Sequence, residues 1–151
     1  MKNNMSKLVL FFLLAFVAGF LASLKLQISW QKSQTVLTIN NQLIQVEVAK
    51  TDEEITNGLS GREKLEENKG MLFVFAKTGK YQFWMKEMRF DLDAIFINGE
   101  TIVDIVENIS APKNNEQPQV FQAKIDFDKV LEVNNGTIKR LNIKIGDEVK
   151  E

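Results

Sequence analysis

The hydrophobic pattern opens with an uncharged apolar run, Leu8–Leu24, held between Lys7 and Lys25. As a helix at about 1.5 Å per residue, a run of this length reaches roughly 26 Å, just short of the ~30 Å hydrocarbon core of a bilayer. It is apolar all round, which points to lipid and away from a buried core helix. Trp30 falls where an aromatic belongs at headgroup level. Two readings stand. One is an uncleaved signal anchor, favoured by the length of the run and by poor small residues for cleavage. The other is a secretory signal peptide with Lys2 and Lys7 as its basic start. The expected partner of Leu8–Leu24 is therefore the lipid bilayer. The expected location is the cell membrane, by a single N-terminal pass with the domain outside the cytoplasm, or secretion if the run is cleaved. Residues 1–26 are assigned to this segment, 27–34 to a tether and 35–151 to a β-rich globular domain.

From residue 35 the period shortens to two. Thr35–Asn40 and Leu43–Ala49 alternate around Asn40-Asn41 and predict a hairpin. Thr51-Asp-Glu-Glu54 is a capping box, with Ile55 and Leu59 on one helical face and Gly58 as the stop. Met71–Phe75 is continuously apolar and predicts a strand buried on both faces. A loop, Ala76–Lys80, should follow, and Tyr81–Met85 should return antiparallel. Asp93–Ile97 and Glu100–Val106 flank Asn98-Gly99, which predicts a type I′ hairpin. Ile109–Gln119 holds both prolines and reads as a loop. Val120–Phe127 and Lys129–Val133 read as strands, and Asn134–Thr137 opens a short helix through Leu141. Ile143–Ile145 and Glu148-Val149 finish the chain. The expected class is α+β but mostly β: a small antiparallel β-barrel-like domain with two short helices, preceded by an N-terminal hydrophobic helix.

Composition removes several functions. The chain has 151 residues with no Cys and no His, which excludes disulfides, thiolate chemistry and imidazole catalysis. Residues 1–30 hold three lysines and no acid. The rest carries 16 basic and 20 acidic residues, a net −4 that suits nucleic acid poorly. No nucleic-acid partner and no cofactor are expected.

The order of local words carries a resemblance. Gly58-Leu-Ser-Gly-Arg-Glu63, Gly70-Met-Leu-Phe-Val-Phe75, Phe83-Trp-Met-Lys86, Asp91–Ile97, Ile102–Ile105, Val130–Val133 with Gly136, and Ile145-Gly-Asp147 occur in turn. This series resembles domain of unknown function 192, over roughly residues 43–150. The resemblance implies a compact β-rich domain, often exported or membrane-attached in prokaryotes. That family has no established activity, so no catalytic residue is carried over. Glu87-Met88 and Phe90-Asp91 stand where the family tends to show Asn-Thr and then a Pro before Leu-Asp.

Charged residues inside apolar strands mark the candidate site, because an unpaired buried charge is costly. Arg62, Trp84, Lys86, Asp93 and Glu132 form the set. If they converge, the cations and the indole face suit a small anionic or carbohydrate ligand. The competing reading is structural: Arg62 holds Asp93 or Glu132, and Trp84 sits in the core. The function expected is a small-ligand-binding or accessory module. The alternatives are a carboxylate-dependent, glycosidase-like hydrolase using Asp91, Asp93, Asp104 or Glu132, and a structural or interaction protein of the cell envelope. The same carboxylates could bind Ca²⁺ or Mg²⁺, though no calcium-loop spacing is present. Met71, Met85 and Met88 could bind Cu(I), although Met in an apolar strand usually packs. Ser60 and Ser110 have no His to activate them.

Overall fold

The computed structural model describes residues 34–113 and 116–151. The expected hydrophobic helix over 1–26 and nearly all of the tether lie outside them; Gln34, assigned to the tether, already belongs to the first strand. Among the described residues no helix is long and apolar enough to cross a membrane.

Strands β1 (Gln34–Ile39) and β2 (Gln42–Ala49) form the first hairpin. Asn40 and Asn41 make its two-residue turn with φ of 52° and 61°, the paired positive values of a type I′ turn. Helix α1 (Asp52–Asn57) follows. The Thr51 side chain accepts from the Glu54 N–H at 3.2 Å, and the Glu54 carboxylate accepts from the Thr51 N–H at 3.0 Å. Gly58, at φ 48°, ends the helix. The helix is the crossover that a parallel connection requires, and β3 (Lys69–Gly79) runs parallel to β2. The sheet is thus antiparallel except for this pair.

The β5 (Leu92–Asn98) and β6 (Thr101–Ile109) hairpin forms as the sequence predicts, with a different turn. Asn98 pairs with Thr101, so Gly99 and Glu100 are the central residues. Only Gly99 has positive φ (63°), the pattern of type II′. With β8 (Phe127–Asn134) and the terminal β9 (Val149–Lys150), the sheet order is β6-β5-β8-β3-β2-β1-β9.

Strand β3 extends to Gly79, across all but the last residue of the expected 76–80 loop. Tyr81–Met85 does not return along it. Both edges of β3 are already taken, by β2 and β8, so only β4 (Phe83–Trp84) forms, and it pairs with β7 (Val120–Phe121) in a separate two-stranded sheet. The expected strand over 120–127 shrinks to those two residues. Beyond them the Lys124 N–H is taken by the Asp104 carboxylate at 2.8 Å instead of by a neighbouring strand. Ile143–Ile145 is not a strand, and Ile145 is exposed.

The main sheet curls into a half-barrel with core on both faces. Met71, Phe73, Ala94, Phe96 and Val130 join one cluster, covered by α1 and the β4–β7 pair. Leu72, Ile95, Leu131 and Val133 join the other, where they meet Leu37 and Ile44 from one end of the sheet and Ile102 from the opposite end. Helix α2 (Thr137–Arg140) adds Ile138 to this second cluster.

Candidate functional site

Alternation along β8 decides where its charge points. Leu131 and Val133 face the second cluster, so Val130 and Glu132 face the first. Glu132 lies between Met71 of β3 and Ala94 of β5 and is 6% exposed. Burial pushes its carboxyl up to about 8, and among the described residues no donor or counter-ion offsets that cost.

This carboxyl opens into a pocket of about 280 Å³. Phe73, Phe75 and Leu92 line the sheet side, and Ile55, Gly58 and Ser60 come from α1 and its exit. Tyr81, Phe83 and Trp84 form a ring wall, with Met88 beyond. Phe75 and Tyr81 stack at 4.0 Å between centroids, and Phe73 meets Phe83 edge-on at 5.6 Å. The walls are pinned together by backbone: the Ser60 hydroxyl donates to the Lys86 carbonyl at 3.0 Å, and the Gly61 N–H to the Glu87 carbonyl at 2.9 Å. A Cβ at Gly58 would stand 3.2 Å from the Phe73 ring and would need positive φ, so glycine lets the helix exit press close to the pocket wall.

The five residues singled out from the sequence do not form one cluster. Trp84 and Glu132 line the pocket together. Trp84 is 53% exposed and stands at the mouth, not in the core. Lys86 lies over its ring, 5.3 Å from the centroid. Arg62 grips neither Asp93 nor Glu132; it forms a two-pronged pair with Glu47 at 2.6 and 2.7 Å. Hydrogen bonding to Glu47, outweighing partial burial, raises the guanidinium pKa above its ordinary value.

Asp93 projects to the other face of the sheet from Glu132. Its carboxylate accepts from the Asn108 and Ile138 N–H groups at 3.1 Å each, fastening β6 and the first turn of α2 to β5. Asp91 accepts from the Ala111 N–H at 2.8 Å, and Asp104 from those of Ile105 and Lys124. Each of these aspartates holds backbone, and Glu132 is the lone carboxyl among the lining residues. Among the described residues no cluster of three acidic side chains could hold a metal ion. Met71 and Met85 are fully buried in the first cluster, and Met88 alone of the three lines the pocket. The sequence reading passed over Tyr81, Phe83, Phe73 and Phe75. The signal was present: aromatics two apart in each of two neighbouring segments share a face.

Known proteins agree with this architecture. The model of domain of unknown function 192, described as "Uncharacterized ACR", matches residues 35–151. A "putative transcription regulator" from Sinorhizobium meliloti 1021 is similar at TM-score 0.70 and 29% identity, over 79% of this chain and 94% of that one. A protein of unknown function from Novosphingobium aromaticivorans DSM 12444 is similar at TM-score 0.72 and 28% identity, over 81% of this chain and 88% of that one. No curated protein matches the chain. With the family model spanning the whole half-barrel, the chain belongs to the domain of unknown function 192 family.

Proposed function

We propose that this chain is a small-ligand-binding module, held at a membrane through Leu8–Leu24 with its domain outside the cytoplasm. The observation that carries the binding reading is Glu132: a buried carboxyl with no partner among the described residues, at an aromatic pocket of a small molecule's size. Evolved cores rarely keep such a group without a use, because its burial costs stability. Hydrolysis by a carboxylate pair lacks its second member in this pocket, since Asp93 is on the far side of the sheet and bonded to backbone. The description of the Sinorhizobium relative raises DNA reading, but the acidic balance of residues 31–151 opposes it.

The test is titration of the full-length chain in non-ionic detergent against sugars, amines, organic acids and nucleosides. A saturable binder whose affinity falls in Trp84→Ala and Glu132→Gln supports the reading; a panel with no binder at millimolar concentration removes it. Fractionation of tagged full-length chain tests the address, and recovery entirely in the cytosolic fraction at full mass would defeat it.

A further inference from the structure

The pocket has a sign. Its lining includes five aromatic residues and one carboxyl, and no Lys or Arg. On the strands that wall it, Lys69 of β3 pairs with Glu66 at 3.4 Å, Lys77 of β3 is exposed, and Asp128 and Lys129 of β8 pair with each other at 3.6 Å. Tyr81 is in the ring wall, its hydroxyl donating to the Lys77 carbonyl at 2.8 Å. Asp52, Glu53 and Glu54 lie in the first turn of α1, and the Glu54 carboxylate accepts from Lys50 and Thr51 N–H groups. Arg62, beyond Ser60, is committed to Glu47. Lys86, beyond β4, lies over Trp84. Asp93 of β5 is turned to the opposite face. Among the described residues that line the pocket an anion meets no counter-charge, Lys86 over Trp84 not being one of them, whereas a cation meets ring faces and a carboxyl that can ionise.

Resting on the small-ligand reading, we infer that the pocket is a site for an organic ammonium, whose alkyl shell lies against the rings and whose charge is met by Glu132. On binding, the Glu132 carboxyl gives its proton to solvent, and the resulting carboxylate pairs with the incoming cation. No bond to the ligand is made. The ring quadrupoles and the alkyl contact add to the ion pair, as in other aromatic cation sites.

Choline and its neutral isostere 3,3-dimethyl-1-butanol separate charge from shape. Titrated into full-length chain at pH 8.5, choline should bind about tenfold tighter than the alcohol. Choline keeps its charge at every pH, so its affinity should rise about tenfold or more from pH 6.5 to 8.5 as Glu132 releases its proton more readily. In Glu132→Gln the preference over the alcohol should shrink to what the ring faces alone supply, and its rise with pH should disappear. Trp84→Ala, at a half-exposed position, should weaken choline. Equal binding of the two isosteres, or a preference left undiminished in Glu132→Gln, overturns the ammonium assignment. Binding of a sugar or organic acid without choline also overturns it, while leaving the pocket a ligand site. Failure of every probe removes both.

Discussion

Glu132 and Asp93 look alike in the sequence, each an acid in an apolar strand, yet their surroundings give them opposite chemistry. Asp93 has two N–H donors, and Glu132 has burial alone. An ordinary glutamate titrates at 4.5, and this one at about 8. Between those values the folded chain keeps a proton that the unfolded chain has lost. Stability is therefore fully present below pH 4.5 and falls as pH rises through 8, by on the order of 4 to 5 kcal/mol in all. Glu132→Gln keeps the shape and removes the titration. Urea unfolding from pH 5 to 9 should show the Gln variant gaining on wild type as pH rises, with the gap widest at pH 9. Parallel stability curves would mean that Glu132 does not titrate in this window. What the sequence could announce was a charge in a core strand. It could not announce the number of donors, because Asn108 and Ile138 come from elements distant along the chain.

Strand β3 shows the same division one level up. Its apolar run correctly implies burial on both faces, but an apolar run does not say which strands lie beside it. The β1–β2 hairpin, the α1 capping box and the β5–β6 hairpin were legible because each is closed by residues a few positions apart. The parallel β2–β3 pair and the β4–β7 pair join residues 20 to 40 positions apart and left no local mark. Gly70 is where the distant partner presses hardest. A Cβ there would come within 2.8 Å of the Glu132 carbonyl oxygen and of Leu131 Cδ1. A backbone oxygen in a ladder cannot move aside, so Gly70→Ala should push β3 away from β8 and cost about 1 to 3 kcal/mol. Chemical denaturation measures the loss, and any ligand bound at Glu132 should weaken with it. An unchanged midpoint would show that the two strands have slack.

At the scale of the whole domain, the curled sheet needs something to hold its two ends, and the last turn of chain supplies it. Strand β9 pairs with β1, while the segment just before it bonds to the start of β6: the Gly146 N–H donates to the Ile102 carbonyl at 2.8 Å, the Ile102 N–H to the Asp147 carbonyl at 3.0 Å, and the Val149 N–H to the Glu100 carbonyl at 2.8 Å. Asp147 fixes this segment in place. Its carboxylate accepts from the Asn40 side chain and from the Lys144 N–H, both at 2.8 Å, joining the β1–β2 turn to the terminal segment. Removing that carboxylate leaves the three backbone bonds but loosens what positions them. Asp147→Ala should cost about 1 to 2 kcal/mol. The loss should be local, because both core clusters are packed without Asp147. Hydrogen exchange tells local from global: the Ile102 and Val149 amides should lose protection, while those of Leu72 and Leu131 keep theirs relative to the variant's own global stability. Uniform loss across all four would make the clasp inseparable from the core, and no loss at Ile102 would mean that the backbone bonds hold the two ends without Asp147.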